Sequence, residues 1–227
     1  GLVPPATGDP KHNPEYEMID AQLTTEIFGL YAPGRPDMAV MMATLPIQTT
    51  AREESEWISA YYVRLFSLAS TTDSSLPIKQ QLFQLADQAA LELPTTSYPS
   101  AMYRYVKYLY ASGIPWEQAR DSVYQRYQVE QSDGYDISSR KLFCNGCFAA
   151  GINFAASLVS LFYGEGDLKE TIKIGALAGW DSDNPTATWG GLIGLMLGKE
   201  GVEKEFGRKF SNKFHIHRTR QGFLEKA

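Results

Sequence analysis

Gly179-Trp180-Asp181-Ser182-Asp183-Asn184-Pro185-Thr186-Ala187-Thr188-Trp189-Gly190-Gly191 joins an apolar run, Ile172 to Ala178, to a segment of small residues with helical character, Ala187 to Leu197. Either Asp183 or Asn184 suits the cap of that helix, because a short side-chain oxygen accepts from the first free backbone N–H groups. Pro185 then suits the first helical position, where its missing N–H costs nothing. Asp181 falls just outside, so Asp181, Asp183 and the amide oxygen of Asn184 can converge on one point. Oxygen-only ligands of this kind suit a hard cation, Mg²⁺ or Mn²⁺, rather than zinc. Taken alone, an Asp-x-Asp reads first as a pair of acids that cap a helix and complement its dipole. The metal reading needs context.

The flanking residues supply it. Tyr163-Gly164-Glu165-Gly166-Asp167-Leu168, then Thr171-Ile172-Lys173-Ile174, then Ala178-Gly179-Trp180-Asp181-Ser182-Asp183 form a long ordered pattern. It resembles the C-terminal metal motif of the ADP-ribosylglycohydrolase family, which includes the dinitrogenase reductase-activating glycohydrolase. Upstream, Asn13-Pro14, Ile19-Asp20-Ala21-Gln22 and Glu26-Ile27-Phe28-Gly29-Leu30-Tyr31-Ala32-Pro33-Gly34 resemble the central segment of the same family, in the same order.

That resemblance implies an all-α protein, a compact orthogonal helical bundle. It implies a hydrolase that cleaves the glycosidic bond between ADP-ribose and a protein side chain, or a related nucleoside-ribose bond. Two Mg²⁺ ions, or Mn²⁺, are implied as cofactors. Asp181 and Asp183 match the catalytic and metal-binding carboxylates of the loop, and Asn184 stands where relatives often have threonine as a further ligand. Trp180 fits a branch that reads Gly-Trp-Asp, Ser182 lies between the two acids, and Asn153 matches an asparagine near the substrate cleft. These three are the expected substrate-binding residues. The implied partner is an ADP-ribosylated protein or an ADP-ribose-like small molecule.

Two departures qualify the match. The N-terminal portion that supplies the other metal ligands in the family has no counterpart here. The expectation is a single all-helical domain over residues 1–227, with an arm at 1–14 and a tail at 213–227, forming the C-terminal part of a longer protein whose missing segment is a partner in the site. Relatives also carry a histidine followed by glycine and tyrosine where Thr49 to Glu56 reads Thr-Thr-Ala-Arg-Glu-Glu-Ser-Glu. That change motivates a second expectation, a family member that has lost catalysis and acts as an ADP-ribose-binding or scaffold protein.

Composition excludes other classes. At 227 residues with 44% apolar and 21% charged content, the chain can bury one sizeable core. A net charge of −5 leaves no basic footprint for nucleic acid. No apolar run approaches the roughly 20 residues of a membrane span. The only two cysteines form Cys144-Asn145-Gly146-Cys147. Four ligands are needed for structural zinc, and no strand pattern precedes the pair as in a redox motif. Two free thiols are the expectation, and they fit a reducing, cytoplasmic location.

Periodicity places helices at Glu15–Tyr31, Asp37–Leu45, Glu53–Leu68, Pro77–Leu93, Pro99–Ser112, Pro115 to Glu130, Leu142–Tyr163, Leu168–Ala178 and, after the Asp-x-Asp loop, Ala187–Leu197 and Glu200–Phe210. The tyrosines of the fifth of these read as core or interface. Leu142–Tyr163 reads as a central buried helix, with Gly146 and Gly151 marking either close backbone approach or a break near Asn145-Gly146. Gly190, Gly194 and Gly198 make one bare helix face. Phe214 to Arg220, with His215 and His217, reads as an exposed tail rather than a metal site.

Overall fold

A computed structural model of the protein describes residues 1–213. The expectations for Phe214 to Arg220 and its two histidines lie outside the described residues. Among the described residues the chain is helical, and its only β-type pairing is a bridge between Met18 and Ala149. The ten α-helices are α1 (Asp20–Thr25), α2 (Ile27–Tyr31), α3 (Pro36–Ile47), α4 (Glu54–Ala69), α5 (Ile78–Ala90), α6 (Tyr98–Ala111), α7 (Trp116–Val123), α8 (Ala150–Gly164), α9 (Leu168–Ala178) and α10 (Asp183–Phe206).

Two helices form the centre. In α8 every residue but Tyr163 is buried, as its run of Ala, Leu, Val and Phe requires. In α4 the residues Ile58, Tyr61, Tyr62, Leu65 and Phe66 turn toward the same core. Tyr61 and Phe154 meet edge to face at 5.1 Å, and Phe162 packs on Phe83 and Tyr103. The tyrosines of α6 divide as expected for a core stripe. Tyr98 and Tyr103 are buried, while Tyr108 faces solvent. A smaller alanine-rich cluster, Ala21, Ala39, Ala43, Ile47 and Val63, seats α1–α3 on α4. Gly29 permits that seating, because a Cβ there would stand 2.5 Å from the Phe66 Cβ and 2.6 Å from the Val63 carbonyl oxygen.

Several element expectations need correction. The helix over Glu15–Tyr31 begins only at Asp20, because Glu17 and Ile19 spend their backbone groups on Ala150 and Phe148. Pro46 lies inside α3 rather than ending it. The helix from Pro115 narrows to α7 and then widens into a π-turn over Tyr124–Val129. The long helix from Leu142 exists only from Ala150. Cys144, Asn145 and Gly146 all have positive φ (42°, 56°, 74°), so the alternative of a break near Asn145-Gly146 holds. Cys144 and Cys147 are joined in a disulfide, not free. The broken backbone brings their side chains together across a Cα separation of 5.4 Å, within the usual range for a bridge. Gly151 admits the rings of Tyr98 and Tyr135, at 2.7 and 2.6 Å from its would-be Cβ, rather than another backbone. Residues 1–14 do not extend as an arm. They turn back on the α3–α4 connection, where Asn13 donates to the Thr50 carbonyl at 2.8 Å and Gly8 sits against Gln48.

The end of the chain shows the same mixture. The helices expected at Ala187–Leu197 and Glu200–Phe210 are the two parts of α10, interrupted at Gly198 (φ 66°, ψ 172°). Gly190 and Gly194 do not bring a backbone close, since a Cβ at either would make only ordinary 3.7 Å contacts with Ile172 and Val202. Only α9 has the boundaries its sequence predicts. Its Asp167 cap accepts from the Glu170 N–H at 2.8 Å, a bond that usually contributes about 1 kcal/mol.

The altered Thr49–Glu56 segment holds a strained point. Glu53 has φ 55° and ψ −132°, a region that glycine adopts readily and a side chain does not. Glu53 also lies in a group with Glu17 and Glu54 whose carboxylate oxygens come within 4.8 Å of one another. Glu53→Gly relieves both the backbone strain and one like charge. It is expected to raise stability by about 1 kcal/mol, seen as a higher thermal midpoint.

Candidate active site

The Asp-x-Asp loop is held from beneath by α8. Asn153, buried in that helix, accepts the Asp181 backbone N–H on Oδ1 at 3.0 Å. Its Nδ2 donates to the carbonyls of Cys147 (2.8 Å) and Ala149 (2.9 Å). Its amide therefore ties the Asp-x-Asp loop to Cys147 of the disulfide turn and to the start of its own helix. Gly179 (φ 102°) and Trp180 (φ 54°) reverse the chain after α9. Trp180 is half-buried and packs against the main core.

The expected cap does not form. Ser182 is the N-cap, its backbone is already helical (φ −67°, ψ −18°), and no side chain closes the first turn. The helix thus starts at Asp183, and Pro185 is its third residue rather than its first. Asp183 is exposed, Asp181 half-buried. Burial raises the Asp181 carboxyl to about 6, helped by its hydrogen bond with Asp183 and by the charges of Asp183 and Asp20. The two expected acids are therefore together. Asp20, at the start of α1, lines the same cleft as Asp181; its segment Ile19-Asp20-Ala21-Gln22 stands out in the sequence, but no role at the site is read for it there.

Asn184 is placed differently. It is 4% exposed, and both its amide atoms are engaged by Gln22 of α1. Gln22 Nε2 donates to Asn184 Oδ1 at 3.2 Å, and Asn184 Nδ2 donates to Gln22 Oε1 at 2.8 Å. Thr188, one turn along α10, donates to Glu26 Oε1 at 2.6 Å, and Gln22 donates to the same oxygen.

Asp20 and Asp181 line a cleft of about 520 Å³, together with Met18, Leu23, Phe143 and Phe148. The rings of Phe143 and Phe148 lie parallel, with an interplanar angle of 6° and centroids 6.1 Å apart. They flank the Cys144–Cys147 disulfide and stay exposed at 80% and 42%. No Lys or Arg is among the described residues lining this cleft. Its described lining therefore combines carboxylates, with no side-chain cation among them, and two parallel aromatic rings.

The ADP-ribosylglycohydrolase family profile matches residues 4–226, nearly the whole chain. The chain belongs to the ADP-ribosylglycohydrolase family. No curated protein and no solved structure matches it. The family membership points to glycohydrolase activity on ADP-ribose substrates, and the all-α architecture agrees with it. Among the described residues, no helix is long and apolar enough to cross a membrane.

Glu26 adds a pH signature to the ADP-ribosylglycohydrolase fold. Burial raises its carboxyl from 4.5 to about 7, against the lowering effect of the Thr188 and Gln22 hydrogen bonds. Glu17 is likewise raised to about 7, by burial first and with Arg140 opposing. A carboxyl that holds its proton more tightly when folded favours the folded state below its unfolded pKa. That contribution is lost as pH rises through the folded value. The thermal midpoint of chelator-treated protein is expected to fall between about pH 5 and about pH 8. Glu26→Gln, which keeps the shape without the charge, is expected to flatten part of that fall.

Proposed function

We propose that the protein is a divalent-cation-dependent hydrolase of the glycosidic bond of ADP-ribosylated side chains or a related ADP-ribose compound. The observation that carries this reading is the pairing, in one cleft, of Asp20 and Asp181 with the parallel rings of Phe143 and Phe148. The donor chemistry fits Mg²⁺ or Mn²⁺. Carboxylates with no side-chain cation among the described lining residues, one of them raised by burial first and by its acidic neighbours second, are an environment a hard cation relieves. Asp181 and Asp183 would hold it, with Asp20 beside them. When bound, such cations orient ribose hydroxyls and activate water for attack at the anomeric carbon. The carboxylates also stabilise positive charge that develops on the sugar as the leaving group departs. The Phe143 and Phe148 rings offer a face on which a planar base can stack, and Asn153 keeps the loop at its working distance.

Thermal unfolding in Mg²⁺, in Mg²⁺ plus ADP-ribose, and in chelator tests the reading. A ligand that binds only the folded state raises the midpoint with its saturation. The reading requires a rise with Mg²⁺ that grows when ADP-ribose is added. No shift in either condition sinks it.

The departure at Thr49–Glu56, with Ala51 buried and Glu53 strained, supports a second reading in which the cleft binds ADP-ribose without cleaving it. Chelator-sensitive turnover of any ADP-ribosyl substrate removes that alternative.

A further inference from the structure

We infer that Asn184 is a positioning residue, whose amide is committed to Gln22, and that this amide pair sets the spacing of Asp20 against Asp181 and Asp183. The inference rests on the cation-binding reading of those acids. Asp20 and Gln22 lie two residues apart on α1, and Asp183 and Asn184 are adjacent at the start of α10. Whatever fixes Gln22 against Asn184 therefore fixes one acid against the other two. The fixing is reciprocal, with a donor and an acceptor on each side (3.2 and 2.8 Å), and it joins residues 162 positions apart. Gln22 and Asn184 are 2% and 4% exposed, so water does not compete for the pair. Thr188 and Glu26 extend the network, both within hydrogen-bond distance of Gln22 Nε2, Thr188 at 3.1 Å.

The physical need for such a pair is clear. Like-charged carboxylates repel one another, and in the absence of a cation the repulsion pushes α1 away from α10. A neutral, two-bond amide clamp opposes that drift without adding charge to the cluster. Rotating the Asn184 carboxamide away from Gln22 to reach a cation breaks the bonds on both its atoms and leaves buried groups unpaired, so a positioning role suits it better than ligation. Supporting contacts of this kind typically contribute 10–100-fold to metal affinity.

Mn²⁺ affinity, followed by electron paramagnetic resonance, distinguishes the roles. The set comprises the unaltered chain, Asp181→Ala, Gln22→Met, Asn184→Leu, the double variant of the last two, and the exchange variant Gln22→Asn with Asn184→Gln. Melting in chelator identifies which variants are folded. The expected result is a loss of about 10–100-fold in both Gln22→Met and Asn184→Leu, with no further loss in their double variant. The exchange variant, which keeps an amide at each position, is expected to recover much of the affinity. Loss in Asn184→Leu with none in Gln22→Met would mean direct ligation and overturn the inference. Unchanged affinity in both, with Asp181→Ala still losing Mn²⁺, would mean a purely structural pair and overturn it as well. Should Gln22→Met fail to fold, the exchange variant decides, and failure to bind Mn²⁺ while folded counts against the pair. Full Mn²⁺ affinity in Asp181→Ala sinks the cation site itself, a separate failure.

Discussion

Asp181→Ala is expected to lower turnover of an ADP-ribosylated substrate by about 10³-fold or more while leaving the helical fold intact. The size follows from the several kcal/mol that a bound cation contributes to a transition state, at 1.36 kcal/mol per factor of ten. The fold survives because the loop is held by the backbone of Asp181, whose N–H reaches Asn153 Oδ1 at 3.0 Å and whose carbonyl accepts from Asn184 at 3.1 Å. Neither bond needs the carboxylate. Removing it also relieves repulsion from Asp183 and Asp20, so the chelated variant should melt no lower than the unaltered chain. Single-turnover kinetics and melting in chelator check both halves. Unchanged turnover would remove Asp181 from the chemistry. A collapsed melting temperature would show the side chain to be structural.

The largest loss of stability is expected for Trp189→Ala, about 3–5 kcal/mol. Trp189 is fully buried, its ring lies 5.6 Å from that of Tyr62 in α4, and its indole N–H donates to the Ser157 carbonyl of α8 at 2.8 Å. Ser157 in turn shares a hydrogen bond with the Tyr62 hydroxyl at 2.5 Å. One side chain of α10 therefore ties the helix that begins at Asp183 to both central helices. For a chain of this size each kcal/mol moves the midpoint by about 2–4 °C, so a fall of about 10 °C is expected. Trp189→Phe should recover the apolar share and lose only the hydrogen bond. Equal melting of the alanine variant and the unaltered chain would show that α10 is held elsewhere.

What the sequence reveals divides by range. The helix α9 is legible to the residue because its signals are local: an Asp cap, period-3.6 apolar positions and a glycine after the last turn. The all-α character is legible for the same reason. The start of α8 is not, because the run from Leu142 is as apolar as a helix. The positive φ of Cys144 and Asn145 goes with the disulfide turn, which no helical period records. The adjacency of Asp181 and Asp183 is written in their spacing. Asp20 and Glu26 lie in segments that the family resemblance singles out, but their meeting with Asp181 and Thr188 comes from contacts between distant parts of the chain, which spacing does not record. Asn184 shows the limit most plainly. Its place in the motif suggests a ligand, and nothing in the spacing announces the hydrogen bond that its amide makes to Gln22 of α1.

The same long-range assembly governs when the cleft can exist. The segments carrying Asp20 and Asp183 are joined by a contact between residues 162 positions apart, and Met18, which lines the cleft, is bridged to Ala149. Local helices form early, whereas contacts of such separation form only after the intervening chain has been ordered, since closing the loop costs entropy that local structure does not repay. The cleft is therefore expected to assemble late on the folding route. A cation bound there only after folding would slow escape from the folded state rather than hasten arrival at it, and the unfolding rate with and without Mn²⁺ checks that expectation.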